Sequence, residues 1–219
     1  MLTLIATPIG RTDEITLRSL ELFKTCDVVV CESTKETSRL LKSYDIKAKR
    51  YEVLDEHSKE DDVSELLELC KTQNVVLVSD CGTPGFCDPG FQLVKACRGA
   101  GVPVHSSLGA SSLMGLLSLS SERIHQFYFR GFIPAENSAR EIEWARLKKT
   151  SEPLILMDTP YRLRKMLDEC EQHLPERKML LALNLSQEDE CVIEGTPRHI
   201  KKNLKAEKAE FMLLVYGKQ

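Results

Sequence analysis

The residues from Val78 to Gly90 read VSDCGTPGFCDPG, so three glycines, two prolines, two cysteines and two aspartates follow directly on an apolar run. Such a stretch brings backbone N–H and C=O groups close to a ligand, because glycine removes the Cβ barrier and proline fixes the approach. It suits a ligand held largely by backbone contacts, such as an adenosine or an amino-acid end. Asp80 reads either as a hydrogen-bond acceptor at that site or as the cap of a turn. Asp88 reads as the cap of a helix beginning near Pro89. Three more loops have the same small, hydroxyl-rich character: TPIG at 7–10, CESTK at 31–35 and LGASS at 108–112. No G-x-x-x-x-G-K-[ST], G-x-G-x-x-G or G-x-S-x-G is present, which supports neither a Walker nucleotidase, an ordinary dinucleotide dehydrogenase nor a serine-elbow hydrolase. The eight cysteines form no C-x-x-C pair. They read as small buried hydrophobes of a reduced protein, with no metal.

Each of these loops follows a short β-branched run: LTLIA, DVVVCE, VVLVSD and PVHSSL, with KRYEV between the second and third. Helical segments alternate with the runs, one spaced on Ile15, Leu17, Leu20 and Phe23, another on Val63, Leu66, Leu67 and Leu69. That order predicts parallel strands joined by crossover helices, with ligands outside the carboxyl ends of the strands. Beyond Ser118 a polar joint, SLSSERIH, leads to a second set of runs: QFYFRGF, PLILMD, KMLLALNL, ECVIEG and EFMLLVYG. LNLSQEDECVIEG reads as two strands around a polar turn, so the second sheet is predicted to be mixed. Helices are expected at about Ser138–Lys149, Arg162–Gln172 and Pro197–Lys205, the last with Thr196 as N-cap. The fold class expected is α/β, with two α/β domains: residues 1–118, mostly parallel, carrying the loops, and 119–219, mixed, with a ligand cleft between them. The net charge of −3 gives no general case for nucleic acid. Basic runs at 47–50, at 146–149 and at Lys201, Lys202, Lys205 and Lys208 read first as solvated faces. No apolar segment reaches bilayer length and the start lacks a signal-peptide pattern, so a cytoplasmic protein without membrane association is expected.

Five segments in order give the chain a resemblance to a known family: TPIG with EITLRSLELFKTCDVVVCEST, LVSDCGTPGFCDPG, GFIPAENSARE, TPYRL and FMLLVYG. The chain resembles the tetrapyrrole methylase family of S-adenosylmethionine-dependent methyltransferases, in the branch of ribosomal small-subunit RNA 2′-O-methyltransferase I. The resemblance implies the cofactor S-adenosyl-L-methionine in the cleft of a homodimer, with ribosomal RNA or the small ribosomal subunit as partner. Carried over by position, cofactor contacts fall on Pro8, Ile9, Gly82, Thr83, Pro84, Gly85, Phe86, Gly109, Ala110 and Ser111, with Asp80 at the mouth of that cradle. Met157, Leu183 and Met212 would line the adenine side.

This chain departs from the branch at several points. Glu32-Ser33-Thr34-Lys35 stands where the branch has acidic-Asp-Thr-Arg, Asn184-Leu185-Ser186-Gln187 replaces Glu-Leu-Thr-Lys, and Leu108-Gly109 replaces Pro-Gly. Lysine lacks the planar bidentate contact of arginine. The C-terminal extension often carried by ribosomal members is not seen. A ribose hydroxyl is a weak nucleophile, so a base and a cation are expected beside it. Glu32 is the candidate acceptor-facing carboxylate and Lys35 the candidate cation. Two other readings stand beside this one: methylation of a tetrapyrrole or other small molecule, and a cofactor-binding homologue without catalysis.

Overall fold

A computed structural model describes residues 1–218. The chain divides into two compact units, Met1–Ser111 and Ser112–Gln219. Among the described residues, ten strands and eight α-helices account for every run read from the sequence.

The first unit is built on five parallel strands, β1 (Leu2–Ile5), β2 (Val28–Cys31), β3 (Tyr51–Val53), β4 (Val75–Leu77) and β5 (Val104–Ser107), ordered β3-β2-β4-β1-β5. Alternate residues of the strands enter two different cores. Val28, Val30, Val75 and Leu77 pack with Leu66 and Cys70 of α3 (Glu60–Thr72) and with Leu93 and Cys97 of α4 (Phe91–Gly99). Val29, Cys31, Val76 and Val78 pack with Phe23 of α1 (Leu17–Thr25) and Leu41 of α2 (Thr34–Ser43). Burial on both faces is why these strands are continuous apolar runs rather than alternating ones. Leu17, expected on the packed stripe of α1, is 86% exposed. The helix starts only after its Thr16 cap, and its buried positions are Ser19 and Phe23. At about 100° per residue, Leu17 stands roughly 200° around the helix from Ser19.

The second unit holds α5 (Ser112–Ser118), β6 (Tyr128–Phe132), α6 (Asn137–Leu147), β7 (Leu154–Met157), α7 (Leu163–His173), β8 (Met179–Leu183), β9 (Cys191–Gly195), α8 (Pro197–Asn203) and β10 (Phe211–Val215). Its sheet order is β6-β7-β10-β8-β9, parallel only between β6 and β7, and so mixed as expected. One face packs Leu156, Leu181 and Leu213 against Trp144, Leu167 and Ile200 of α6, α7 and α8. The other packs Ile155, Leu180 and Leu214 against Leu116 of α5. Thr196 caps α8, its side chain accepting from the His199 N–H at 3.3 Å, with Pro197 at the first helical position. In the β8–β9 turn Asn184 adopts φ 46° and Ser186 φ 67°. Asn184 also exchanges hydrogen bonds with Glu210 ahead of β10: its N–H donates to the Glu210 carbonyl at 2.8 Å, and its Oδ1 accepts from the Glu210 N–H at 3.0 Å. Asparagine tolerates the left-handed turn conformation, so this departure from the branch pattern serves the hairpin. Among the described residues no helix is long and apolar enough to cross a membrane.

Candidate active site

All four small-residue loops leave the carboxyl ends of the parallel strands, and the loop after β4 is fastened to each of the other three. Thr7, after β1, donates its N–H to the Gly82 carbonyl at 2.8 Å and accepts the Gly82 N–H at 3.0 Å, an isolated antiparallel bridge between two parallel strands' exits. The buried Thr7 hydroxyl donates to the Ser79 carbonyl at 3.3 Å. After β2, the Ser33 N–H donates to Asp80 Oδ1 at 3.1 Å. After β5, the Ala110 carbonyl accepts from the Thr83 hydroxyl at 3.0 Å. A hydroxyl or carboxylate at each crossing satisfies backbone groups that would otherwise lack partners in irregular structure.

Glycines sit where this packing forbids a side chain. Gly82 and Gly85 have φ 78° and 84°, in the left-handed region that costs other residues energy. A Cβ on Gly109 would lie 3.0 Å from the Ala6 Cβ, so the β5 loop lies directly on the end of β1. Pro84 and Gly82 are buried, Pro8, Ile9, Gly85, Ala110 and Ser111 half-buried, and Thr83, Phe86 and Gly109 exposed. The donor set is therefore backbone amides and carbonyls, the Thr83 hydroxyl, the exposed Asp80 carboxylate and the apolar surfaces of Ile9 and Phe86. A zwitterionic nucleoside with a cationic sulfonium fits that chemistry: polar backbone for the base and amino-acid end, carboxylates for positive charge.

The carboxylates share one electrostatic neighbourhood. Burial pushes the Glu32 carboxyl above its usual range, and the charges of Asp80, Asp88 and Glu56 push it further. Asp80, exposed as a residue, is raised by partial desolvation of its carboxyl, against the Ser33 N–H bond that favours its charged form. Asp88 is raised first by burial, with Ser79 hydrogen bonding opposing and Asp80 adding to the rise. Asp88 does not cap the following helix. α4 begins at Phe91 with Gly90 as N-cap, at φ 131° and with no side-chain cap. The turn through Gly90 carries the chain past Asp88, which faces the Ser79 hydroxyl instead. Glu32 immediately precedes Ser33, the N-cap of α2, whose hydroxyl accepts from the Glu36 N–H at 3.3 Å. Lys35 is exposed on the first turn of α2. Among the described residues no group of three or more His, Cys, Asp or Glu could hold a metal ion.

The three residues carried over from the second unit separate. Met157 pairs with Met212 across β7 and β10, and Met212 belongs to the α5-side core. Leu183 belongs to the core on the opposite face, packed with Leu181 and Leu213. Side chains alternate across a strand, so Leu183 offers a ligand on the Met212 face only its backbone. Sequence reasoning passed over Thr7, Ser33, Ser79 and Arg140. The signal for the first three was their position one or two residues from each loop's glycine, proline or acid. Arg140 is 2% exposed. It donates to Glu169 and Asp158, and to the carbonyls of Ile133 and Pro134, so that it joins the loops after β6 and β7.

The chain is similar to proteins of one family. The family of tetrapyrrole (corrin/porphyrin) methylases matches residues 1–201. Ribosomal RNA small subunit methyltransferase I of Neisseria meningitidis serogroup B is 33% identical over 223 residues, spanning 100% of this chain and 76% of that protein. The protein of the same name from Leptospira biflexa is 32% identical over 216 residues, spanning 98% of this chain and 90% of that one. Among solved structures, uroporphyrin-III C-methyl transferase from Thermus thermophilus, complexed with S-adenyl homocysteine, superposes with a TM-score of 0.64 at 16% identity, covering 98% of this chain and 96% of that one. Diphthine synthase superposes at 0.69 with 17% identity, covering 98% and 89%. These two likenesses are of fold. Taken with relatives that match along the whole of this chain, the family match makes it a member of the tetrapyrrole methylases, an S-adenosylmethionine-dependent methyltransferase.

Proposed function

We propose that the enzyme methylates a ribose 2′-hydroxyl of small-subunit ribosomal RNA, acting in the cytoplasm as a homodimer. The acceptor is supported by the names of relatives that are one-third identical along the whole chain. The observation that carries the assignment of residues is the fastening of the Glu32 loop to the glycine loop through Ser33 and Asp80.

The cofactor, when bound, supplies an electrophilic methyl group on a sulfonium. Pro8, Ile9, the Gly82–Phe86 backbone and Gly109–Ser111 would hold it. Asp80 presents negative charge to its cationic parts. Glu32 takes the proton of the ribose hydroxyl, and its raised affinity for protons makes it a stronger base than an ordinary carboxylate. Lys35 holds the neighbouring phosphate or steadies the developing alkoxide. The hydrogen bonds that fasten the β4 loop to its three neighbours would help to orient the acceptor hydroxyl toward the methyl, which lowers the barrier to transfer between bound partners.

The test is a methyl-transfer assay on small ribosomal subunits from cells lacking this protein, with calorimetry of S-adenosylmethionine binding in parallel. Transfer to a ribose of the RNA is expected. Binding without transfer to the subunits, together with transfer to a tetrapyrrole, would move the acceptor to the small-molecule class.

A further inference from the structure

The second unit carries an exposed aromatic on a turn held by buried ion pairs, with a lysine over its ring. Tyr161 is 80% exposed, in a short 3₁₀ turn at Pro160–Arg162 that follows β7. The turn is anchored by the buried Asp158, which accepts from the Thr159 N–H at 2.9 Å and from Arg162 at 3.3 Å, and is itself paired with Arg140 at 3.1 Å. Lys208 sits over the Tyr161 ring, 5.3 Å from its centroid. Its position follows from Arg164, which donates to the Leu204 carbonyl at 3.2 Å and to Glu207 at 3.0 Å and so fixes the segment leading to β10. Phe132, at the end of the neighbouring parallel strand β6, is also exposed.

Residues 197–208 contain five cations and a single acid. Lys201 is held by Asp168 and Glu171, and Glu207 by Arg164. Arg198, Lys202, Lys205 and Lys208 are exposed and have no acidic partner among the described residues. Read as a sequence, this run looks like a solvated helix face. In the structure its last lysine is brought to an aromatic that packs into no core, and whose turn is held by a buried ion network. An exposed aromatic on a pre-organised turn, with the unneutralised Lys208 over its ring and Lys205 three residues before it in the chain, has the recognition chemistry of unpaired nucleic acid: a ring for a base to stack on and ammonium groups for phosphates.

We infer that Tyr161, with Lys205 and Lys208, forms a stacking platform that grips an unpaired segment of the RNA substrate, the tyrosine ring against a base and the lysines against the flanking phosphates. This rests on the ribosomal RNA reading above and names the surface that engages that RNA.

The test uses the full chain with a short, labelled, unstructured RNA, and separately with small ribosomal subunits. Tyr161→Ala should weaken RNA binding about fivefold or more, the loss expected when one stacked base is freed. Tyr161→Phe should restore it to within about twofold, since the ring and not the hydroxyl stacks. The double variant Lys205→Gln, Lys208→Gln should flatten the salt dependence of RNA binding by a slope of about 1.4, the value for two single-strand phosphate contacts. Cofactor binding and Tm measured on the same variants should match wild type, which separates the surface from misfolding. If wild type binds RNA and methylates subunits while Tyr161→Ala has unchanged RNA affinity and unchanged KM for subunits, the platform is wrong and the substrate reading survives. If wild type neither binds the RNA nor methylates subunits, both fall together.

Discussion

The backbone N–H of Ser33 donates to Oδ1 of Asp80 at 3.1 Å, joining residues 47 apart in the chain. It is the link between the loop that carries Glu32 and the loop that carries the glycines. Replacing Asp80 with alanine removes the acceptor and frees the start of α2, and methyl transfer should fall about tenfold or more, since small misplacements of reacting groups are costly. Asp80→Asn keeps an oxygen for Ser33 and should retain more of the rate than Asp80→Ala. Steady-state kinetics on the two variants decide it, and equal losses would show that the link does not position Glu32.

Glu32 should set the acidic limb of the pH–rate profile. Its carboxyl must be ionised to accept a proton, and burial followed by Asp80 and Asp88 raises its pKa. Activity should therefore rise with pH through a value above the ordinary carboxylate range. Asp80→Asn removes one repelling charge, so the limb should shift to lower pH. Glu32→Gln should lower kcat by about 10²–10⁴, the usual contribution of a positioned base, while calorimetry finds cofactor binding unchanged.

Gly85 adopts φ 84°, and a Cβ there would stand 3.3 Å from Cδ2 of Leu4. Gly85→Ala should destabilise the protein by about 1–2 kcal/mol through the left-handed backbone alone. Any shift of the loop that relieves it should also weaken S-adenosylmethionine binding. Denaturant unfolding and calorimetry on one sample measure both, and intact cofactor affinity would remove Gly85 from the cradle.

The Arg140 side chain lies between Asp158 and Glu169, both nearly buried, at 3.1 and 2.7 Å. Arg140→Met would leave Asp158 to Arg162 at 3.3 Å and Glu169 to Lys165 at 3.9 Å, and a loss of about 3 kcal/mol, the lower end for breaking a buried pair on one side, is expected. Urea unfolding monitored by the single tryptophan, Trp144, which is buried in the same unit, reads this directly.

Asp88 bears on stability rather than on capping. Burial raises its pKa in the folded protein, and Asp80 raises it further. The folded state therefore holds its proton more tightly than the unfolded chain, which favours folding at acid pH; that contribution is lost as pH rises through the folded value. At neutral pH the ionised carboxylate is thus a cost, and Asp88→Asn should raise Tm at pH 7. The gain should vanish below about pH 4, where the unfolded aspartate is itself protonated. A lower Tm at pH 7 would contradict this.

What the sequence determined by itself was the succession of elements and the small-residue loops that follow the parallel strands. Val28–Cys31 and Val75–Val78 are apolar at every position because both faces of the parallel sheet are covered. The glycine and proline clusters after the strands mark backbone conformations that few other residues adopt, as at Gly82 and Gly85. Both signals are local, written in consecutive residues. What only the tertiary structure decided concerns residues far apart in the chain. These are the pairing of Ser33 with Asp80, the bridge of Thr7 to Gly82, the turning of Asp88 away from α4 and of Leu17 to solvent, and the placing of Leu183 on the face opposite Met212. The approach of Lys208 to Tyr161 belongs with them. A side chain's partner depends on the register of strands and the phase of helices packed against it, and these are set by the whole core rather than by neighbouring residues.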